Sequence, residues 1–200
     1  MTTSTTRLFD SWDDAAAAVR DLKAAGVPDN DIGMVANNSE DWYTEKDPNR
    51  VAEDAGAGAA VGGALGGGAG LLAGIGLLAI PGVGPVVAAG WLVATAAGAA
   101  AGALVGGATG GLVGALVNSG VDKNDAHVYA EGVRRGGTLV SVQTSDANAA
   151  RIEQILDNHT GVTASARGSA YRASGWSTFD ESAPAYSADQ VRRERELYRR

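Results

Sequence analysis

The side chains best suited to acid–base or metal chemistry are two histidines, His127 and His159. An imidazole changes charge near neutral pH and commonly binds metals, so either residue could act as a base or a ligand. Neither has carboxylates at a metal-binding spacing, and the sequence contains no cysteine. His159 is also expected at a helix C-terminus, where a positive charge is favourable without any ligand. We therefore predict no metal site and no cofactor.

Other motifs that carry chemistry are also missing from the sequence. There is no G-x-S-x-G nucleophile elbow, and no lysine follows the glycines as a phosphate-binding loop requires. The acidic residues Asp10, Asp13 and Asp14 are close together but lack the spacing of a calcium loop, and helix capping and solubility explain them. The net charge of −7 disfavours nucleic acid as a partner. We predict that the protein is not an enzyme and has no catalytic residues.

An uncharged block of 67 residues, from Ala55 to Val121, dominates the sequence and contains 21 of the 29 glycines. The segment IPGVGPVV in its middle would break any helix, which leaves two arms of about 55–80 and 86–118. Each arm exceeds the roughly 20 residues that a helix needs to cross a bilayer. The block therefore predicts a Gly/Ala-rich helical hairpin.

Each arm carries five glycines at intervals of four residues, which places them on one face of a helix. They are Gly58, Gly62, Gly66, Gly70 and Gly74 in the first arm, and Gly98, Gly102, Gly106, Gly110 and Gly114 in the second. A glycine in a helix interior costs about 1 kcal/mol relative to alanine, so such a stripe needs a compensating role. Small residues on one face allow two helices to approach closely. We predict a helix-packing role for these ten glycines.

The environment of the hairpin has two interpretations. The block lacks charge and contains many aliphatic residues, which favours insertion into a bilayer. The alternative is a soluble homo-oligomer with the hairpins buried in its core. The first residues, MTTSTTRLFD, lack the basic and apolar stretches of a secretory signal, which favours a cytoplasmic start. The predicted location is the inner membrane with a cytoplasmic domain, or alternatively the cytoplasm.

The residues on either side of the block predict alternating strands and helices. TRLFD and DIGMVAN are predicted as strands on either side of a helix that Ser11 caps and Gly26 ends. After the block, Asp122 caps a helix, TLVSVQT is a strand, Ser145 begins a further helix and VTASAR is a last strand. Without the hairpin and the helix next to it, the order is β-α-β followed by β-α-β. This order predicts an α+β fold, a split ferredoxin-like βαβ-βαβ sandwich with an inserted helical hairpin.

The predicted organisation has four parts. Residues 1–52 and 122–168 form the two halves of the ferredoxin-like domain, and residues 53–121 form the glycine-rich hairpin. Residues 169–200 form a polar tail that runs over the surface and ends in a charged helix with Ser187 as its N-cap. We interpret that helix as solvated, with docking or a contact with anionic lipid through its arginines as the alternative.

Two stretches of the sequence resemble a known family. FDSWDDAAAAVRDLKAAGVPDNDIGMV and AEGVRRGGTLVSVQT resemble the two halves of the bacterial heat-induced general stress protein family, in which a Gly-Gly pair precedes an apolar strand. Longer members carry a glycine-rich hydrophobic hairpin between the halves. The resemblance covers about 80 residues. It implies a non-enzymatic stress-response protein and supplies no site residues.

These observations lead to three hypotheses for the function. The first is a general stress-response protein that forms homo-oligomers through its glycine-zipper hairpin, in or on a lipid bilayer. The second is a soluble assembly of the same kind. The third is a sensor that binds a small ligand on its ferredoxin-like sheet, which rests on analogy of fold.

Overall fold

Both helices and strands are present in the computed structural model, which describes residues 2–43, 75–93 and 111–198. In chain order the elements are β1 (Thr2–Phe9), α1 (Trp12–Ala24), a 3-10 turn (Asp29–Asp31), β2 (Ile32–Asn37), β3 (Gly76–Ile80), β4 (Gly84–Gly90), α2 (Gly111–Asn118), α3 (Lys123–Arg134), β5 (Thr138–Ser145), α4 (Asp146–Asn158), α5 (Ala164–Ala173) and α6 (Ala188–Tyr198). The fold is α+β, as the sequence predicts.

The helix starts lie where capping residues predict them. The Ser11 hydroxyl accepts a hydrogen bond from the Asp14 amide at 3.1 Å, which satisfies an amide in the first turn of α1. The Asp122 carboxylate accepts a bond from the Asn124 amide at the start of α3. Ser187 and Gln190 form a reciprocal capping box at the start of α6. These three predicted starts are confirmed.

The five strands form one antiparallel sheet in the order β1-β5-β2-β4-β3. Leu139 of β5 lies between Leu8 of β1 and Val35 of β2. On the outer side of β1, Leu8 forms an isolated antiparallel bridge with Val162. The two halves of the chain therefore interleave in the sheet, since the strand from the second half lies between two strands from the first.

Alternation along the strands divides the apolar side chains between two faces of the sheet. Phe9, Met34 and Val140 pack with α1 and α4 on one face. Leu8 and Val35 belong to the cluster on the other face, where α3 packs on the sheet and α2 and α5 pack on α3. Because successive residues of a strand point to opposite faces, β1, β2 and β5 serve both cores. The result is three layers, with the sheet in the middle.

The prediction of a helical hairpin is wrong for the middle of the uncharged block. Residues 76–80 and 84–90 form the β-hairpin β3–β4, which extends the sheet beside β2. The connecting turn places Pro81 before Gly82 at φ +72°, and the Val83 amide donates to the Ile80 carbonyl at 3.1 Å. Proline followed by a glycine with positive φ is the pattern of a type II turn. The residues interpreted as a helix break instead join two strands.

The predicted last strand, VTASAR, is also wrong beyond its first residue. Only Val162 pairs with the sheet, and the Thr163 hydroxyl then accepts a hydrogen bond from the Ala166 amide. Thr163 thereby caps α5, which buries Ala164 and Tyr171 against the rest of the fold. A capping threonine and alanines favour a helix, and the burial of Tyr171 adds apolar contact that an extended segment would lose.

Candidate functional site

The predicted helix-packing glycines lie almost entirely outside the described residues. Nine of the ten fall in residues 44–74 and 94–110, of which we give no structural account. The tenth, Gly114, is buried in α2, a helix that packs against α3. Among the helices of the described ranges, none is long and apolar enough to cross a membrane.

The described residues fix where the two glycine-rich segments, 44–74 and 94–110, leave and rejoin the fold. Gly76, at the start of β3, pairs with Ala88 near the end of β4, so one segment arrives and the other departs at the same end of the sheet. At the opposite end β2 finishes at Asn37, and Gly111 begins α2 within contact distance of Ile80. The described residues that flank each segment therefore lie at opposite ends of the sheet.

Trp91 lies where one of these segments leaves the sheet. Its indole N–H donates to the Ser141 carbonyl at 3.3 Å, and its ring is partly buried in the core. A Cβ placed on Gly33 would lie 2.7 Å from the Trp91 Nε1 atom, so this side chain needs the bare backbone of β2 beside it. Trp91 therefore packs within the fold, beside the bare backbone of Gly33.

A buried ionic cluster lies at the C-terminal end of α3. The Glu131 carboxylate is 1% exposed and lies 2.7 Å from Arg135 Nε and 3.4 Å from Arg134 Nη1. The hydrogen bond to Glu131 and the charge of Glu131 raise the pKa of Arg135 above its ordinary value, although burial itself lowers it and is the largest single influence. The guanidinium of Arg135 also lies over the Tyr171 ring, 4.4 Å from its centroid. These contacts neutralise a carboxylate that would otherwise be costly to bury.

The charged C-terminal helix docks on this cluster, so its interpretation as a solvated helix is wrong. Glu194 pairs with Arg135 at 3.0 Å, and Arg195 donates to the Gly136 carbonyl at 2.9 Å and to Glu40. Val191 is fully buried, with Gly136 directly beneath it. The i,i+4 spacing of Glu131 and Arg135 was a local signal of their pairing, but the partners in α6 are about sixty residues away along the chain.

A cleft of about 300 Å³ lies between the loop that follows α1 and the first half of α4. Its lining includes Val27 and Ile155, which are apolar, and the polar side chains of Asp31, Gln143 and Arg151. Within the described part of the chain, these three polar side chains form no hydrogen bonds or ion pairs with protein. The cleft is of the size that small-molecule sites occupy, and it presents one cationic and one anionic group.

The two histidines take part in single contacts at the surface. His159 caps α4, and its Nε2 atom lies 2.7 Å from a carboxylate oxygen of Asp21. The Nδ1 atom of His127 lies 3.4 Å from the Thr178 hydroxyl. Within residues 2–43, 75–93 and 111–198, no three histidine or carboxylate side chains are grouped to hold a metal ion.

The comparisons with known proteins identify no family for the chain, so only its fold class is stated. No protein-family model matches it, and neither a curated protein nor a solved structure shows significant similarity. The chain is an α+β protein with a five-stranded antiparallel sheet. Its resemblance to the heat-induced general stress proteins stays a prediction.

Proposed function

We propose that this is a non-enzymatic stress-response protein that acts by self-association through residues 44–74 and 94–110. The observation that carries the proposal is the way these segments are anchored. The strands β3 and β4 between them belong to the sheet, and both segments therefore start and finish on the folded body. Glycines at intervals of four would let these segments pack closely, within one chain or against a neighbouring copy.

The proposed core is a split ferredoxin-like arrangement with β3–β4 added at one edge. The neighbouring strands β1, β5 and β2 and the helices α1 and α4 on one face support this assignment. The bridge between Leu8 and Val162 supports a fourth strand that is reduced to a single pair, because it lies on the outer side of β1. The strand order then matches the split βαβ topology.

Assembly between chains is favoured over a two-span membrane insertion. A two-span hairpin needs its turn on the far side of the bilayer, but the turn at Pro81 and Gly82 joins two strands of the sheet. Each glycine-rich segment would have to leave the sheet, cross the bilayer and return on its own. The proposal therefore favours association on the membrane surface or in a soluble oligomer.

The test replaces Gly66 and Gly106 with leucine in the full chain. Two leucines on the stripes would keep the segments apart, so we expect a lower average mass by light scattering at the same concentration. Gly76→Leu is the matched control, because a Cβ at that position meets no atom of the described residues within 4 Å. An unchanged mass for the double variant would rule out the stripes as the contact surface. Release of the wild-type protein only by detergent, and not by carbonate, would favour insertion over assembly.

A second candidate function is the sensing of a small ligand, which the cleft beside α4 supports. Arg151 suits a carboxylate and Asp31 suits an amine, while Val27 and Ile155 offer an apolar wall. A small aliphatic amino acid fits this set of groups. A thermal-shift titration with leucine and valine tests it, with Arg151→Ala as the variant that should abolish any stabilisation. If neither compound raises the melting temperature of the wild-type protein, this candidate is excluded.

A further inference from the structure

The C-terminal tail, defined here as residues 174–198, crosses the end of the sheet where the β3–β4 turn lies. A Cβ placed on Gly82 would lie 2.7 Å from Glu181 Cα, and one on Gly84 would lie 2.7 Å from Ala185 Cβ. The backbone of the tail thus touches the turn directly. On the other side of the tail, Arg134 donates to the Pro184 carbonyl at 3.0 Å.

The tail also touches a residue shortly before the first glycine-rich segment and the residue immediately after the second. Glu40, which forms ion pairs with Arg192 and Arg195 of α6, lies shortly before residues 44–74. Gly111 immediately follows residues 94–110, and a Cβ there would lie 3.6 Å from a carboxylate oxygen of Glu181. One tail therefore contacts an anchor of each segment and the turn between β3 and β4.

Partly exposed ion pairs and a small apolar contact hold the last helix of the tail in place. Val191 is its one buried apolar residue, and Leu197 is 72% exposed. Tyr198 is partly buried, with its ring 6.0 Å from that of Tyr171 and the Arg167 guanidinium 4.4 Å from its centroid. The ion pairs of Arg192, Glu194 and Arg195 are all at least partly exposed. Exposed ion pairs contribute little each and weaken with salt, so α6 belongs among the elements that open most readily.

We propose that the tail is a latch on self-association, an inference that rests on the proposed function. When docked, it holds the anchors of the two glycine-rich segments and covers the β3–β4 turn. When α6 is released, Glu40, shortly before the first segment, is no longer held, so neighbouring chains associate more strongly. The latch is opened by whatever competes with the ion pairs of α6, such as salt or a charged surface.

The test is Arg195→Glu in the full chain, which places a carboxylate beside Glu40 and removes the bond to the Gly136 carbonyl. Arg193→Glu is the matched control, because it makes the same change of charge two residues away and Arg193 has no bonding partner among the described residues. Hydrogen exchange of residues 188–198 reports release of the tail, and sedimentation velocity reports association.

We expect Arg195→Glu to speed exchange in α6 by about tenfold and to tighten self-association by a similar factor, since about 1.4 kcal/mol corresponds to tenfold. Arg193→Glu should change both by less than about twofold. Should Arg195→Glu fail to fold, raising the NaCl concentration on the wild-type protein should give the same pair of changes.

Each other outcome separates the two proposals. Faster exchange with unchanged association overturns the latch and leaves the proposed function in place. Unchanged exchange shows that the ion pairs do not hold the tail, and likewise overturns the latch. If neither the wild-type protein nor the released variant associates at any concentration, both proposals fail.

Discussion

Glu131 is the most deeply buried carboxylate among the described residues. Its carboxylate is almost fully buried between Arg134 and Arg135. We expect Glu131→Gln to lower the free energy of unfolding by about 3 kcal/mol, because it leaves the largely buried Arg134 without a carboxylate partner and Arg135 with Glu194 alone. Urea denaturation followed by circular dichroism measures the change.

Glu153→Gln provides the control for this prediction. Glu153 makes the same kind of pair with an arginine, Arg7, but its side chain is 51% exposed and the pair is 4.0 Å long. We expect a change below about 0.5 kcal/mol for this variant. Equal effects of the two substitutions would mean that burial of the Glu131 pair contributes nothing.

Tyr129 predicts how stability depends on alkaline pH. Burial is the largest cause that raises its pKa to about 12, and its hydroxyl donates to the Thr6 carbonyl and accepts from the Ala164 amide. The unfolded chain loses this proton near pH 10, so the neutral phenol stabilises the fold fully below pH 10. That contribution is lost as the pH rises from 10 to about 12.

The measurement compares the wild-type protein with Tyr129→Phe at pH 9 and pH 11. The variant is expected to be less stable at pH 9, by about 1–2 kcal/mol for the lost hydrogen bonds. It should also lose less stability on going to pH 11 than the wild-type protein does. If the variant instead lost more stability than the wild-type protein between pH 9 and pH 11, the result would contradict a buried neutral phenol.

Two glycines at helix ends test whether the docking of α6 depends on the contact between Val191 and Gly136. Gly26 and Gly136 follow α1 and α3 with φ of +89° and +104°, so alanine is strained at both. A Cβ on Gly26 meets nothing within 4 Å, whereas one on Gly136 would lie 2.5 Å from Cγ1 of Val191. We expect Gly136→Ala, and not Gly26→Ala, to expose α6 to rapid trypsin cleavage. Similar cleavage in both variants would show that Val191 does not depend on Gly136.

At the scale of elements, the capping residues in the sequence predicted where helices begin. Ser11, Asp122 and Ser187 mark true helix starts because a cap acts within one turn. The strands at 76–90 were missed because an apolar run reads equally well as a strand or a helix, and the period-four glycines on both sides favoured the helix. Their partner, β2, lies about 50 residues earlier in the chain. Pairing between strands so far apart in the chain leaves no pattern in the residues near either strand.

The candidate sites were less predictable than the fold. The spacing of charges in RRERELYRR indicates pairs within one helix, and Arg192 does pair with Asp189 in α6. The contacts that dock the helix join Arg195 to Glu40, which is 155 residues away. The cleft combines a loop, a strand end and a helix, so its shape exists only after folding. Sequence patterns indicate which residues are charged but not which ones meet.

At the scale of the whole molecule, the sheet predicts that β3–β4 unfolds together with the rest. Met34 and Val35 of β2 pair with β4 on one side and with β5 on the other. We expect the amides of residues 86–89 to exchange with deuterium as slowly as those of residues 139–142, because breaking either pairing disrupts both cores. Exchange in β4 at least about a hundredfold faster would show that the hairpin opens separately.

The interleaving of the strands has a consequence for cut forms of the protein. One cleavage within residues 44–74 and another within residues 94–110 would divide the chain into three fragments. Each fragment would supply at least one strand, and none would keep the whole sheet. Nicked protein should therefore hold together without covalent continuity and come apart only in denaturant. Two of the fragments, made separately, would then detect the third by reassembling with it into the folded protein.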